Sequence, residues 1–318
     1  MSQNIVEYLR EQIVTDLFRG NFINTWSAWK PHINALVTPP TGLKLLNLGD
    51  NLYNIFSTTK TQNSRNANNS QSHVANAGAS WENLVCWYLN LCLIGTRTVV
   101  IKHKKEFIPE PISDAITVNY SNFISNTESD LVAITFPDNS NYAIDKELLQ
   151  VRDNEGNIVP VRRTTRSRKY NLKPILDSLA HNDFTDIEIH IIQCKTNWKD
   201  NAQIPMLWDM IYSADRFRNN ITLGRNGYTI RNCNRFTYSF VTVPTGDISD
   251  YTPNATQVVR VRNLTGGNYW GRPTLNNVAS SLKEMLNRNL ANGMQGSHIN
   301  NLNNIVCELS TTYSYFDI

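Results

Sequence analysis

The sequence contains no GxxxxGK[ST] and no GxGxxG, so nothing in it supports nucleotide-driven chemistry. It contains no CxxC either. Its five cysteines, Cys86, Cys92, Cys194, Cys233 and Cys307, are odd in number, and no Cys/His group has zinc-ligand spacing. Reduced, mostly buried thiols in a cytoplasmic protein are the expectation. No apolar run is long enough to span a bilayer: the longest, Leu84 to Ile94, is interrupted by Asn90. The first residues, MSQNIVEYLREQIVTDLF, lack the pattern of a signal peptide and read as an amphipathic helix. Charge is scarce, at 18% of residues with a net of +3, so only local clusters can argue for nucleic-acid binding. Asparagine is abundant instead, which reads as compositional bias.

What is present suffices for a folded domain. Hydrophobic residues make up 41% of 318, enough for a sizeable core. Ile5, Val6, Leu9, Ile13, Val14 and Leu17 share one helical face. Thr59 to His73 is polar and reads as a mobile loop, here taken over residues 59–76. Ser80 is a candidate N-cap for a core helix, WENLVCWYLNLCLIG, that ends at Gly95. Strands are predicted over Thr96–Lys104, Ser129–Asp138, Ile187–Lys195, Phe236–Pro244 and Thr256–Asn263. Helices are predicted near Lys173–Ala180, over Gln203–Phe217 and over Thr274–Leu290. Gly266 to Thr274 reads as a compact loop that either packs as a turn or contacts a partner. No repeat and no clear linker is visible, so residues 1–318 read as one α/β domain, with 139–183 an insertion between core strands.

The chemistry gathers on two strands. In IEIHIIQCK, alternation puts Gln193 and Lys195 on one face and Glu188, His190 and Cys194 on the other. His190 reads as a satisfied core residue. Sites in open α/β sheets lie at the carboxyl ends of strands. An ammonium at such an end calls for an anion, because desolvating it unpaired costs several kcal/mol, roughly. Asp130, opening SDLVAITFP, offers a carboxylate.

An acid on one strand and a polar-x-Lys on the next resembles the PD-(D/E)xK nucleases, and the chain resembles the type II restriction endonucleases with that core. The matching elements are Glu82 in ASWENLVCWYL, Asp130 in ESDLVAITFP and Gln193-Cys194-Lys195 in IIQCKTNW. The resemblance covers residues 80 to 245. It departs from the usual pattern in having Gln193 where a second acid is common, which makes this a QxK variant. The 63 residues from Asp130 to Gln193 (193 − 130) are also long and require an insertion.

The resemblance implies a restriction-endonuclease-like core: a mixed β-sheet flanked by helices, with a DNA-binding insertion between the catalytic strands. It implies a Mg²⁺-dependent, site-specific double-stranded DNA endonuclease of a bacterial cytoplasm. Metal-activated water would hydrolyse the phosphodiester and leave 5′-phosphate ends. A homodimer would cut both strands of a palindrome, with no membrane and no nucleotide cofactor. Mg²⁺ takes hard oxygens. Asp130, the Gln193 side chain and the Cys194 carbonyl are its candidate ligands, Lys195 the candidate for orienting water or holding phosphate, and Glu82 a compensating acid. Arg162, Arg163, Arg166, Arg168 and Lys169 form a basic arm able to track a phosphate backbone. The other readings are a repair or junction nuclease of the same fold and a non-catalytic DNA-binding protein.

Overall fold

The computed structural model describes residues 3–20, 22–63, 71–102, 104–120, 123–126, 129–164, 169–196, 221–242, 252–265, 268–271 and 276–318. Four helices open the chain: α1 (Ile5–Leu17), α2 (Phe22–Val37), α3 (Gly42–Asn47) and α4 (Leu52–Asn63). Asn4 caps α1 by accepting the Glu7 amide at 2.9 Å, and the predicted apolar face is the buried one. The core helix α5 runs from Gln71 to Cys92, longer than the sequence suggests. The stretch read as a loop over 59–76 is therefore helical at both ends, and residues 64–70 lie outside the described residues. Its polar composition hides a good helix former, because Ala75, Ala77 and Ala79 cost the helix nothing. Ser80 is accordingly interior to α5 and caps nothing.

Among the described residues the main sheet holds six strands: β1 (Thr98–Lys102), β4 (Leu131–Thr135), β5 (Glu188–Lys195), β7 (Arg235–Thr242), β8 (Asn268–Trp270) and β9 (Ala279–Ser281), neighbours in that order. The pairs β1–β4 and β4–β5 are antiparallel, and β5–β7, β7–β8 and β8–β9 are parallel. The protein is thus a mixed α/β fold in which helices flank a mixed sheet. A second sheet joins β2 (Thr117–Tyr120), β3 (Phe123–Asn126) and β6 (Ile221–Leu223). Short helix α6 (Glu110–Ala115) starts between Pro109 and Pro111, as proline at a first helical turn permits. Helix α7 (Leu172–Asn182) precedes β5 as expected.

Two readings change. Thr256–Thr265 is a helix, α8, not a strand. Its valines read as β-formers, but Val258 and Val261 are the fully buried pair, and that is helical spacing. The Gly266–Thr274 loop contains strand β8, paired on both sides. The last predicted helix is shorter, α9 (Leu282–Asn289), because Ala279–Ser281 joins the sheet and Ser281 caps the helix. Helix α10 (His298–Ile305) follows. The predicted helix over Gln203–Phe217 lies outside the described residues.

Among the described residues, one hydrophobic cluster runs from Ile5 to Phe316. Its aromatic heart joins Trp26 to Trp87 at 4.6 Å between ring centroids, and Trp87 Nε1 donates to the Phe316 carbonyl at 3.1 Å. On the Cys194 face of the sheet, a polar row crosses four strands. Thr98 meets Thr135 at 2.8 Å, Thr135 meets His190 at 3.2 Å, and His190 meets Thr237 at 2.8 Å. Burial, reinforced by the nearby Arg235 charge, holds the His190 imidazole down at about 3. It is the satisfied, neutral core histidine expected.

Strand β1 lies at the sheet's edge, and its outer backbone groups are met by side chains. Arg10 donates to the Thr96 and Thr98 carbonyls, each at 3.0 Å. Asn90 accepts the Val100 amide at 3.1 Å and donates to the Val100 carbonyl at 2.7 Å. Glu7 neutralises Arg10 at 3.0 Å and accepts the Gly95 amide at 2.9 Å. Arg10 and Asn90 are both fully buried. Replacing Asn90 with leucine orphans the Val100 groups. Urea unfolding of Asn90→Leu is expected to show a loss of about 2–4 kcal/mol with the slope unchanged. Arg10→Met, which strands buried Glu7, is expected to lose about 3–5 kcal/mol.

Candidate active site

The β4–β5 register pairs Leu131 with Ile192, so Asp130 falls opposite Gln193 at the sheet end where β5 finishes. The two side chains share a face with Lys195, as strand alternation requires. The expected trio is therefore brought together. Asp130 Oδ2 accepts from Gln193 Nε2 at 2.8 Å and from the Cys194 amide at 2.7 Å. Only one assignment of the Gln193 amide satisfies that bond, and it leaves Gln193 Oε1 buried without a partner among the described residues. Asp130 Oδ1 likewise accepts no hydrogen bond among the described residues. The Cys194 thiol is buried on the other face, and its pKa is pushed well above the usual value by burial.

Burial pushes the Asp130 carboxyl from 3.8 up to about 6. The Cys194 amide bond opposes this, the Glu82 charge adds to it, and the Lys195 and Lys102 charges oppose it. Lys195 itself is half-buried and makes no ion pair among the described residues. The charge at the end of β5 thus acts on a carboxyl that titrates at about 6.

Glu82 has a cationic partner in the same region. It pairs with Lys102 Nζ at 3.2 Å, and the same ammonium donates to Asn83 Oδ1 at 2.8 Å. Lys102 was not singled out in the sequence, although TVVIK ends in lysine just as EIHIIQCK does. The same reasoning, a lysine closing an apolar strand, would have found it. Beside Lys102 opens a cleft of about 580 Å³ whose polar lining includes Asp16, Arg19, Asn83, Lys102 and Lys104. Lys104 is ion-paired with Asp16.

The basic arm stands elsewhere. Because β4 and β5 are antiparallel, the segment joining them leaves the sheet at Thr135 and returns at Glu188, the end opposite Asp130 and Lys195. The ends are about 17 Å apart along β4. The arm's described residues pack on the first half of α1: Tyr170 meets Tyr8 at 5.1 Å between centroids, and the Lys146 amide donates to the Gln3 carbonyl at 3.0 Å. Arg162 pairs with Glu147 at 2.7 Å, while Arg163 and Lys169 are exposed. Arg166 and Arg168 lie outside the described residues. The described members of the cluster thus lie in the connection between β4 and β5, which joins the sheet at the end away from Asp130 and Lys195.

The donor set bears on a metal as follows. Asp130 Oδ1 and Gln193 Oε1 are two hard oxygens without hydrogen bonds among the described residues, which suits Mg²⁺ held with substrate phosphate and water. No group of three or more His, Cys, Asp or Glu side chains able to hold a metal occurs among the described residues. No helix among them is long and apolar enough to cross a membrane. Compared with known protein families, curated proteins and solved structures, the chain matches none.

The Asp130 environment has a consequence for stability. A carboxyl whose folded pKa is raised binds protons more tightly in the native state. Wild-type stability therefore falls as pH rises from about 4 to about 6, and the cost persists above that window. Asp130→Asn cannot titrate and still offers an oxygen to both donors. In metal-free buffer it is expected to be more stable than wild type by about 1–2 kcal/mol at pH 7.5 and equal to it at pH 3.5, read from urea unfolding at both pH values. Equal stability at pH 7.5 would refute the assignment.

Proposed function

We propose that the protein is a Mg²⁺-dependent, site-specific double-stranded DNA endonuclease of the type II restriction class, built on a restriction-endonuclease-like core. The observation that carries this reading is the single face shared by Asp130, Gln193 and Lys195 at the sheet end, with two hard oxygens left without hydrogen bonds among the described residues. Asp130 and Gln193 would hold the metal, with the Cys194 carbonyl as a third oxygen. The chemistry such a metal would supply is positive charge at the scissile phosphate and a more acidic attacking water. Lys195 would orient the attacking water or neutralise the phosphate as charge develops on it. Asp130 and Gln193 hold each other at 2.8 Å, so the carboxylate enters the reaction already aligned. Glu82 and Lys102 form a neutral pair beside it and set the local charge. A homodimer would present two such sites to a palindromic duplex.

Incubation with supercoiled plasmid is the direct test. Discrete fragments with Mg²⁺ that vanish with EDTA support the restriction reading. General degradation points to a repair or junction nuclease, and binding without cleavage to a DNA-binding protein. Lys195→Ala is expected to lower the cleavage rate by about 10²- to 10⁴-fold while duplex binding persists. A fully active variant would remove Lys195 from the site.

A further inference from the structure

Thr242 closes β7 and is the register partner of Lys195 in the parallel pair β5–β7. Register partners in a sheet share a face, so Thr242 stands on the side of Asp130, Gln193 and Lys195. Its side chain is fully buried, and Oγ1 has no hydrogen-bond partner among the described residues. The other fully buried threonines behave differently. Thr98 and Thr135 bond each other at 2.8 Å, and Thr117 donates to the Ser113 carbonyl at 2.7 Å. A buried hydroxyl left unmatched is a local cost that a fold tolerates where another demand applies. Gln193 Oε1, another buried and unmatched oxygen on this face, lies on the adjacent strand two residues before Lys195. The described polar groups that share this face and sheet end with Lys195 are the Asp130 carboxylate, the Gln193 amide and the Thr242 hydroxyl.

We infer that Thr242 is a positioning residue for Lys195: its hydroxyl accepts a hydrogen bond from the ammonium and holds it across the face toward Asp130 and Gln193. This inference rests on the nuclease reading. A lysine ammonium has three donors on a flexible four-carbon stem and is a poor director of charge unless one donor is anchored. The hydroxyl at the end of the neighbouring strand is placed to be that anchor. It acts through Lys195 and needs no contact with the substrate.

Three variants on the full-length protein decide it. Thr242→Val keeps the shape and removes the hydroxyl. It is expected to melt at the wild-type temperature or above, to bind duplex unchanged, and to cleave plasmid about 10- to 100-fold more slowly. Thr242→Ser restores the hydroxyl and is expected to recover most of the rate. Thr242→Val combined with Lys195→Ala is expected to be no slower than Lys195→Ala alone. Full activity in Thr242→Val overturns the inference and leaves the nuclease reading intact. So does failure of serine to rescue, or a large drop in melting temperature in the valine variant, since either assigns Thr242 to packing. Absence of Mg²⁺-dependent cleavage in the wild type overturns the nuclease reading and the inference with it.

Discussion

The fold depends on what is done with the open side of β1. A sheet edge presents unpaired amides and carbonyls, and here that edge is buried against two helices, so water cannot satisfy it. Arg10 from α1 and Asn90 from α5 supply the missing partners, and Glu7 balances the charge. These three side chains therefore set where both helices sit along the strand. With α1 and α5 fixed, Lys102 and Glu82 arrive at the same end of the sheet, and the antiparallel run from β1 to β5 follows in register.

Register carries the candidate site in turn. Side chains alternate with a period of two, so a slip of one residue between β4 and β5 would move Asp130 to the opposite face from Gln193 and Lys195. The apolar residues make such a slip costly, because every residue from Leu131 to Ile134 is fully buried. Asp130 pins the end of the pairing by accepting from both a side chain and a main-chain amide of β5. The same contact orders the strand and aligns the carboxylate.

Much of this was legible in the sequence. Alternation in IEIHIIQCK and SDLVAITFP placed Asp130, Gln193 and Lys195 on common faces, and the apolar spacing of Ile5 to Leu17 located α1. Three things were not legible. Asn90 looked like a flaw in an apolar helix, because nothing local says that a strand edge will need an amide. The valines of Thr256–Thr265 obey β-propensity and helical burial alike, and only tertiary packing decides between them. The basic arm was placed by chain order alone, which does not say at which end of an antiparallel pair the connection emerges. Lys102 was legible in principle, since it ends its strand as Lys195 ends β5.

The long connection between β4 and β5 therefore has its own standing in the molecule. Tyr142, stacked on Phe136 at 5.0 Å, and Tyr170, held against Tyr8, moor it at either end, and Leu149, Val151 and Val159 between them are buried in the core. Among the described residues, no hydrogen bond or ion pair links the span between them to the Asp130–Gln193 contact. Loop-closure entropy rises only slowly with length. The exposed turn at 154–158 is thus the modular segment, one that lineages or engineers can lengthen, trim or exchange for a different binding loop while the chemistry at the other end of the sheet stays as it is.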